Sequence, residues 1–253
     1  MALTRLFIPA ELKPGREVPL DGDQARYLGR VLRMRNGDSL TVFNGNNGEF
    51  AASISALGKG AGTLLIESHI ETATESPLRI HLVQGVSRGE KMDFVVQKAT
   101  ELGVKRITPV FTEYGVVKLD AKRAEKRRDH WRGIAESACE QSGRIRPPLI
   151  DEPLPLNTWF GEKTGDADID LILQPRAATA LTSVAAPATK VCMLIGPEGG
   201  FSSSELDDAT AVGFKAVSLG PRILRTETAS AAALTVAQSM WGDFRHVDNS
   251  SDD

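Results

Sequence analysis

The feature that most constrains the fold is a pair of glycine-bearing turns within residues 191–233. The first, Ile-Gly-Pro-Glu-Gly-Gly at 195–200, follows an apolar run typical of a buried strand. The second, Leu-Gly-Pro-Arg at 219–222, follows a shorter run of the same kind. Open α/β sheets form ligand crevices where neighbouring strands end, and glycine lets the backbone approach a ligand closely. The segment therefore predicts an α/β domain with its ligand site at these turns, although turns that merely join strands to helices are the alternative.

Each turn leads into a helix with a recognisable start. Ser202 precedes Glu205 by three residues, which is the spacing of a capping box. Thr226 opens an alanine-rich stretch that can continue to Trp241. The sequence has neither the GxGxxG nor the GxxxxGK[ST] pattern, so an ordinary dinucleotide or P-loop site is disfavoured.

The rest of the chain divides into two regions of different pattern. In the first, turn signals separate strands and one short helix; the strands are predicted at 5–8, 39–43, 49–56 and 63–70, and the helix at 23–34. In the second, strands alternate with helices, which is typical of a largely parallel sheet; helices are predicted at 92–102, 121–141, 176–184 and 203–212. A polar stretch ending in proline separates the regions. We therefore predict a β-rich domain at 1–72, a linker at 73–77, an α/β domain at 78–245 and a disordered tail at 246–253.

Charge is distributed unevenly along a chain of 253 residues with a formal net charge of −3. Residues 78–150 carry 15 Lys and Arg against 9 Asp and Glu, whereas residues 151–253 carry 7 against 15. A basic block in an acidic protein suggests a surface that faces an anion, although a solvated helix face is the commoner explanation.

Neither a membrane span nor a secretory leader is visible, so we expect a cytoplasmic protein. The His and Cys residues have no ligand spacing, so no metal is expected.

Two motifs together resemble a known family. The stretches LIGPEGGFS at 194–202 and LGPRILRTETA at 219–229 are similar to those of the SPOUT class of RNA methyltransferases. Within that class, the chain most resembles the bacterial 16S ribosomal RNA (uracil-N3)-methyltransferases over residues 3–245. The resemblance implies a PUA-like β-barrel that holds RNA, followed by a trefoil-knotted domain with a mostly parallel sheet and flanking helices. It also implies a homodimer, with residues 191–233 as the knotted part.

The resemblance implies S-adenosyl-L-methionine as the cofactor. The backbone of the glycine turns, the end of a third strand and nearby apolar side chains are expected to bind it; these residues are Leu173, Gln174, Leu194, Gly196, Pro197, Glu198, Gly199, Gly200, Leu219, Gly220, Ile223, Leu224, Arg225 and Thr226.

The implied reaction is methylation of N3 of a uridine. Loss of the N3 proton places negative charge on the uracil oxygens, and an arginine near the methyl group would stabilise that charge. Arg225 is the first candidate and Arg222 the second. Glu198 and Glu227 are weaker candidates for the proton acceptor, since an acid at a helix start is more often there for helix electrostatics.

The expected partner is 16S ribosomal RNA, within the 30S subunit. Arg30, Arg33, Lys91 and Arg144 are the predicted RNA contacts, with a plain solvated surface as the alternative for the first two. Rival hypotheses are a SPOUT enzyme with another RNA target, such as a transfer RNA ribose 2′-hydroxyl, and a non-catalytic RNA-binding protein of ribosome assembly.

Overall fold

The computed structural model describes residues 4–116, 120–163, 165–187 and 189–244. The chain forms two compact units, one built from Met1–Glu75 with Cys139–Pro147 and the other from Ser76–Ala138 with Pro148–Asp253. No sequence signal indicated that 139–147 would join the first unit. The predicted domain limits at 72, 78 and 245 stay predictions, and the tail at 246–253 lies outside the described residues.

The first unit is a five-stranded sheet with a short helical segment. Its strands, in the spatial order β1-β3-β4-β5-β2, are β1 (Arg5–Phe7), β2 (Glu17–Leu20), β3 (Ser39–Phe43), β4 (Glu49–Leu57) and β5 (Gly62–Ile70). The β1–β3 pair is parallel and the other pairs are antiparallel. The sequence predicted four of these strands and missed β2, which is only four residues long and contains Pro19.

The helical segment of this unit departs from the predicted helix at 23–34. Helix α1 (Gly22–Arg26) begins with a capping box between Asp21 and Gln24. A π-helical turn, Tyr27–Val31, follows it directly. The segment ends at Arg33, a non-glycine residue in the left-handed region with φ of 58°. The predicted helix is therefore shorter and less regular than its apolar spacing indicated.

The second unit confirms the α/β prediction. Its elements are β6 (Arg79–Gly85), α2 (Glu90–Glu101), β7 (Arg106–Phe111), α3 (Ala121–Ser142), β8 (Leu149–Ile150), β9 (Leu154–Pro155), α4 (Leu156–Glu162), β10 (Ile169–Leu173), β11 (Lys190–Ile195), α5 (Ser203–Ala211), β12 (Lys215–Val217) and α6 (Thr226–Trp241). The strand order is β12-β10-β11-β6-β7-β8, β9 also pairs with β7, and these pairings are parallel. The trefoil knot stays a prediction. Within the described residues, no helix combines the length and apolar character needed to cross a membrane.

Both faces of the parallel sheet are covered by hydrophobic cores. Along β11, Met193 and Ile195 belong to the cluster that includes residues of α2 and α6. The alternate residues Cys192 and Leu194 belong to a second cluster around Trp159 and Phe214. Burial on both faces explains why β11 is continuously apolar from Val191 to Ile195 rather than alternating.

The predicted helix at 176–184 is wrong. Arg176 has a left-handed backbone with φ of 64°, and only Leu181–Ser183 forms a short 3-10 turn. The backbone of this segment pairs with Ser218 instead: the Leu181 N–H donates to the Ser218 carbonyl at 2.9 Å, and the Ser218 N–H donates to the Thr179 carbonyl at 2.9 Å. This long-range pairing overrides the local helix preference of the alanines.

His81 on β6 predicts a pH-dependent stability. Burial, followed by the nearby charge of Arg106, lowers the pKa of His81 from 6.5 to about 4. As the pH falls, the unfolded chain therefore takes up a proton before the folded protein does. The contribution of neutral His81 to the free energy of unfolding is fully present above about pH 6.5. It is lost as the pH falls towards about 4, by up to about 3 kcal/mol. We expect denaturant unfolding to show this loss in the wild type and much less of it in His81→Gln. An exposed control, His69→Gln, should keep the wild-type dependence.

Candidate functional site

The carboxyl ends of β10, β11 and β12 border a cavity of about 730 Å³ in the second unit. This volume lies in the range of small-molecule sites. Twelve of the fourteen predicted cofactor residues line the cavity: Leu173, Gln174, Gly196, Pro197, Glu198, Gly200, Leu219, Gly220, Ile223, Leu224, Arg225 and Thr226. The structure thus brings the two glycine turns and the third strand end to one site.

Leu194 and Gly199 are not among the residues that line the cavity. Leu194 is fully buried in the core on the opposite face, because side chains alternate along a strand and its neighbour Ile195 faces the cavity. Gly199 lies against Tyr114: a Cβ at this position would be 2.6 Å from the Tyr114 carbonyl oxygen. Their placement gives both residues a packing role rather than a place in the cavity wall.

Glycine is needed at the positions of the two turns for different physical reasons. A Cβ on Gly196 would lie 3.1 Å from the Phe201 ring, so the turn closes tightly there. Gly200 and Gly220 have φ of 68° and 89°, in the region that glycine adopts easily and other residues rarely do. Both turns therefore require glycine for their own shape.

A buried polar network lies beneath the first turn. Gln84, at the end of β6, is fully buried; its side-chain amide donates to the Thr226 hydroxyl at 3.1 Å and to the Ile195 carbonyl at 3.4 Å. The Thr226 hydroxyl donates to the Gly196 carbonyl at 2.7 Å. The Ser230 hydroxyl lies 2.7 Å from Gln84 Oε1, which it can reach as a donor. This network joins β6, the first glycine turn and the start of α6.

Gly85 brings the end of β6 against the same turn. A Cβ at this position would lie 2.3 Å from Pro197 Cδ and 2.5 Å from Pro197 N. No side chain fits there without displacing the turn. The sequence analysis did not identify Gln84, Gly85 and Ser230. The sequence feature that could have indicated the first two is a glutamine followed by a glycine at the end of an otherwise apolar strand.

Lys91 and Glu198 form an ion pair in the cavity wall, with Nζ and Oε1 2.8 Å apart. Partial burial alone would raise the pKa of Glu198. The hydrogen bond and charge of Lys91, together with backbone hydrogen bonds, outweigh that effect and hold the pKa below its ordinary value of 4.5. Glu198 is therefore a carboxylate at neutral pH, which makes it a weak base.

Arg222 and Arg225 line the cavity with exposed side chains. Neither guanidinium forms an ion pair with another residue of the described part of the chain. Arg225 is the N-cap residue of α6, and its side chain makes no capping hydrogen bond. An unpaired guanidinium beside the positive end of a helix suits a site where negative charge develops. Glu227 is not among the lining residues, and its Oε2 is buried with no hydrogen-bond partner among the described residues.

The predicted RNA contacts differ in exposure. Arg30 and Arg33 are exposed in the first unit, and Lys91 lines the cavity of the second. Arg144 is only 3% exposed and pairs with Glu75 at 2.9 Å within the first unit. A guanidinium buried in this way cannot reach a phosphate without losing that pair, so its placement speaks against RNA contact. Among the described residues, no group of three or more His, Cys, Asp or Glu could hold a metal ion.

Comparison with known proteins identifies both regions of the chain. The model of an RNA methyltransferase domain matches residues 74–238, and that of an RNA methyltransferase PUA domain matches residues 20–67. The ribosomal RNA small subunit methyltransferase E of Buchnera aphidicola subsp. Schizaphis graminum is 36% identical over 242 residues, covering 96% of this chain and 98% of the relative.

Two solved structures are similar over almost the whole chain. One is a ribosomal RNA small subunit methyltransferase E from Neisseria gonorrhoeae bound to S-adenosyl methionine, at 38% identity and a TM-score of 0.91. The other is a Legionella pneumophila protein in complex with the same cofactor, at 41% identity and a TM-score of 0.92. Each match covers 96% of this chain and 100% of the other. The chain therefore belongs to the RNA methyltransferase family of the ribosomal RNA small subunit methyltransferase E proteins.

Proposed function

We propose that this protein uses S-adenosyl-L-methionine to methylate N3 of a uridine in 16S ribosomal RNA. One observation carries the proposal: the two glycine turns and Arg225 converge on a single cavity of about 730 Å³. The two similar structures that hold S-adenosyl methionine, and relatives named for the ribosomal small subunit, support the cofactor and the substrate class. The N3 position rests on the resemblance of the two motifs.

The cavity suits the mixed chemistry of the cofactor, which supplies an electrophilic methyl group on a sulfonium. Backbone groups of Gly196, Gly200 and Gly220 would bind its polar edges, because no side chain shields them. Leu173 and Leu224, both half-buried, would cover the adenine faces. Leu194 and Gly199 are left out of this set, since their placement gives them packing roles.

Arg225 is the proposed catalytic residue. Uracil N3 becomes a nucleophile when its proton leaves, and the new N–C bond forms as the S–C bond breaks, so the protein must align the two and stabilise charge on the uracil oxygens. The Arg225 guanidinium lines the cavity and has no ion-pair partner among the described residues, so it is available for that charge. The proton passes to solvent, because Glu198 is held ionised by Lys91 and is a weak acceptor.

Three further elements belong to the proposal. Arg30 and Arg33 contact the RNA, within an assembled 30S subunit in the cytoplasm. The protein acts as a homodimer through the side of α6 that carries Ala232, Val236 and Met240, which are half-buried; Val236 also packs against the core of its own unit.

Arg225→Ala tests the proposed reaction. The wild type and the variant are each expressed in cells that lack this protein, and 3-methyluridine in their 16S ribosomal RNA is measured by nucleoside mass spectrometry. We expect the wild type to restore the modified nucleoside and the variant not to restore it. Removal of a charge-stabilising group should slow methyl transfer by about 10²–10³-fold, while calorimetry shows S-adenosylmethionine still binding. Lys215→Ala, an exposed cation on β12, is the control and should restore the nucleoside. Full restoration by Arg225→Ala would remove this residue from the mechanism, and unchanged 3-methyluridine in the deletion strain would refute the proposed product.

Glu198→Gln tests whether this acid is a base or a positioning residue. The variant loses its charge but keeps its shape, so the ion pair with Lys91 is lost. We expect weaker substrate or cofactor binding, seen as a raised KM, with an unchanged pH profile of kcat. If Glu198 were the proton acceptor, the variant would instead lose kcat and the acidic limb of that profile.

Gly85→Ala tests the close approach that shapes the cavity. The added methyl group meets the backbone of Pro197, so the first glycine turn must move. We expect S-adenosylmethionine binding by calorimetry to be lost or greatly weakened in a protein that is still folded by circular dichroism. The matched control is Gly133→Ala on α3. A Cβ at that position would have no atom within 4 Å, so this variant should bind S-adenosylmethionine as the wild type does. Wild-type affinity in Gly85→Ala would show that the turn does not depend on this contact.

A further inference from the structure

The described wall of the cavity contains one large aliphatic side chain that the fold leaves exposed. Ile223 lines the cavity and is 72% exposed, the highest value among the large hydrophobic residues of the described chain. A single exposed apolar residue is normal on a protein surface, so exposure by itself is not evidence of function. Ile223 differs from the other Leu, Ile and Phe residues of the wall, which are buried or half-buried: Leu173, Ile195, Phe201, Leu206, Leu219 and Leu224.

The direction of the Ile223 side chain follows from its two neighbours in the sequence. Residues 223–225 belong to no helix or strand, and the backbone of Arg225 is extended, with φ of −65° and ψ of 152°. Leu224 is half-buried and packs against the core cluster that includes residues of α2 and α6. Successive side chains of an extended segment point in opposite directions. Ile223 and Arg225, which are both exposed and both line the cavity, therefore point away from that core on the same side of the chain.

This direction separates Ile223 from the side chains that suit an adenine ring. Binding sites enclose most of the surface of a small ligand, so a side chain that covers adenine is expected to be part of the enclosed wall. Leu173 and Leu224 meet that condition, because both are half-buried and pack against the core. Ile223 instead shares the open side of the wall with Arg225, the residue proposed to act on the uracil.

The chemistry of the target base explains why an apolar side chain is needed beside Arg225. Uracil N3 lies on the base-pairing edge, so the base must leave its stack and its pair before a methyl group can reach it. An extruded base exposes two apolar faces, whereas its oxygens lie in the plane of the ring. A guanidinium near the oxygens leaves those faces uncovered. Isoleucine is branched at Cβ and stiff at χ1, so Ile223 presents a preformed apolar surface to one face.

We propose that Ile223 packs against one face of the target uracil, with Arg225 at the oxygens of the same base. Ile223 is then a substrate-binding residue and contributes little to the affinity for the cofactor, although its place in the sequence predicted a cofactor contact. The inference rests on the proposed methylation of uridine N3, and it adds the residue that holds the base.

Methyl NMR tests the contact without requiring methyl transfer. The protein is isotopically labelled at the isoleucine δ1 methyl groups, and the Ile223 signal is identified by its loss in Ile223→Val. S-adenosylhomocysteine and then a short oligouridylate are added. We expect nuclear Overhauser effects from the Ile223 methyl group to uracil H5 and H6, and none to adenine H2 or H8. Contacts to adenine, or no contact to uracil, would overturn the proposal.

Two substitutions of Ile223 test its contribution to each ligand. Ile223→Ala removes most of the apolar surface, so kcat/KM for small ribosomal subunits from cells that lack this protein should fall about tenfold. Ile223→Val keeps most of that surface and should lower kcat/KM by no more than about threefold. Calorimetry should show both variants binding S-adenosylmethionine with wild-type affinity. Leu173→Ala, which shortens a side chain expected to cover adenine, should weaken that binding.

Leu149→Ala is the matched control, because Leu149 is 54% exposed on β8 and is not among the residues that line the cavity. This variant should keep wild-type kinetics, and Ile223→Ala should keep the wild-type melting temperature because the side chain is exposed. The proposal is overturned if Ile223→Ala weakens S-adenosylmethionine binding as Leu173→Ala does, changes the oligomeric state in size-exclusion chromatography, or leaves kcat/KM unchanged. If the wild type shows the contact to uracil but transfers no methyl group, the contact stands and the proposed reaction fails.

Discussion

The cavity depends on one buried contact region at the end of β6. Gln84 is fully enclosed, so any side-chain amide group left without a partner would cost about 1–3 kcal/mol. Its partners belong to β11 and α6, and Thr226 extends the network to the Gly196 carbonyl. Gly85 meanwhile leaves no space between β6 and Pro197. These contacts hold the first glycine turn and the helix start in one arrangement before any ligand binds.

Local charge at the cavity differs from the charge of the surrounding segment. Residues 151–253 are strongly acidic, yet Arg222 and Arg225 reach the cavity without an ion-pair partner among the described residues. Glu198, the one acid among the described residues of the wall, is compensated by Lys91 at 2.8 Å. The cavity therefore offers unpaired positive charge to an anionic group even though the segment that forms most of its wall is acidic. Net charge alone could not have revealed this arrangement.

Features set by local sequence could be predicted, and features set by distant contacts could not. The apolar run of β11 was predicted because a strand buried on both faces consists of consecutive apolar residues. The turn after it was predicted because a backbone that needs positive φ or close approach is encoded by glycine. The helix at 176–184 was predicted wrongly because pairing with Ser218, almost forty residues away, decides its backbone. Gln84 was missed because its partners are separated from it by more than 100 residues. Local patterns thus predicted most of the residues that line the cavity but not the contacts that hold them in place.

Two arginines show the same limit of prediction from local sequence. Arg144 follows a glycine stop after a long helix, but Glu75 encloses its guanidinium in an ion pair. Arg33 has no such partner in the described chain and holds a backbone conformation that opposes folding. An ion pair inside the fold accounts for the burial of Arg144. The left-handed conformation of Arg33 costs on the order of 1–3 kcal/mol, which the rest of the fold offsets, and the hydrogen bond from the Met34 N–H to the Leu28 carbonyl closes the segment across it. Exposure and the presence or absence of an ion pair within the described residues therefore separate the two arginines, whereas their place in the sequence does not.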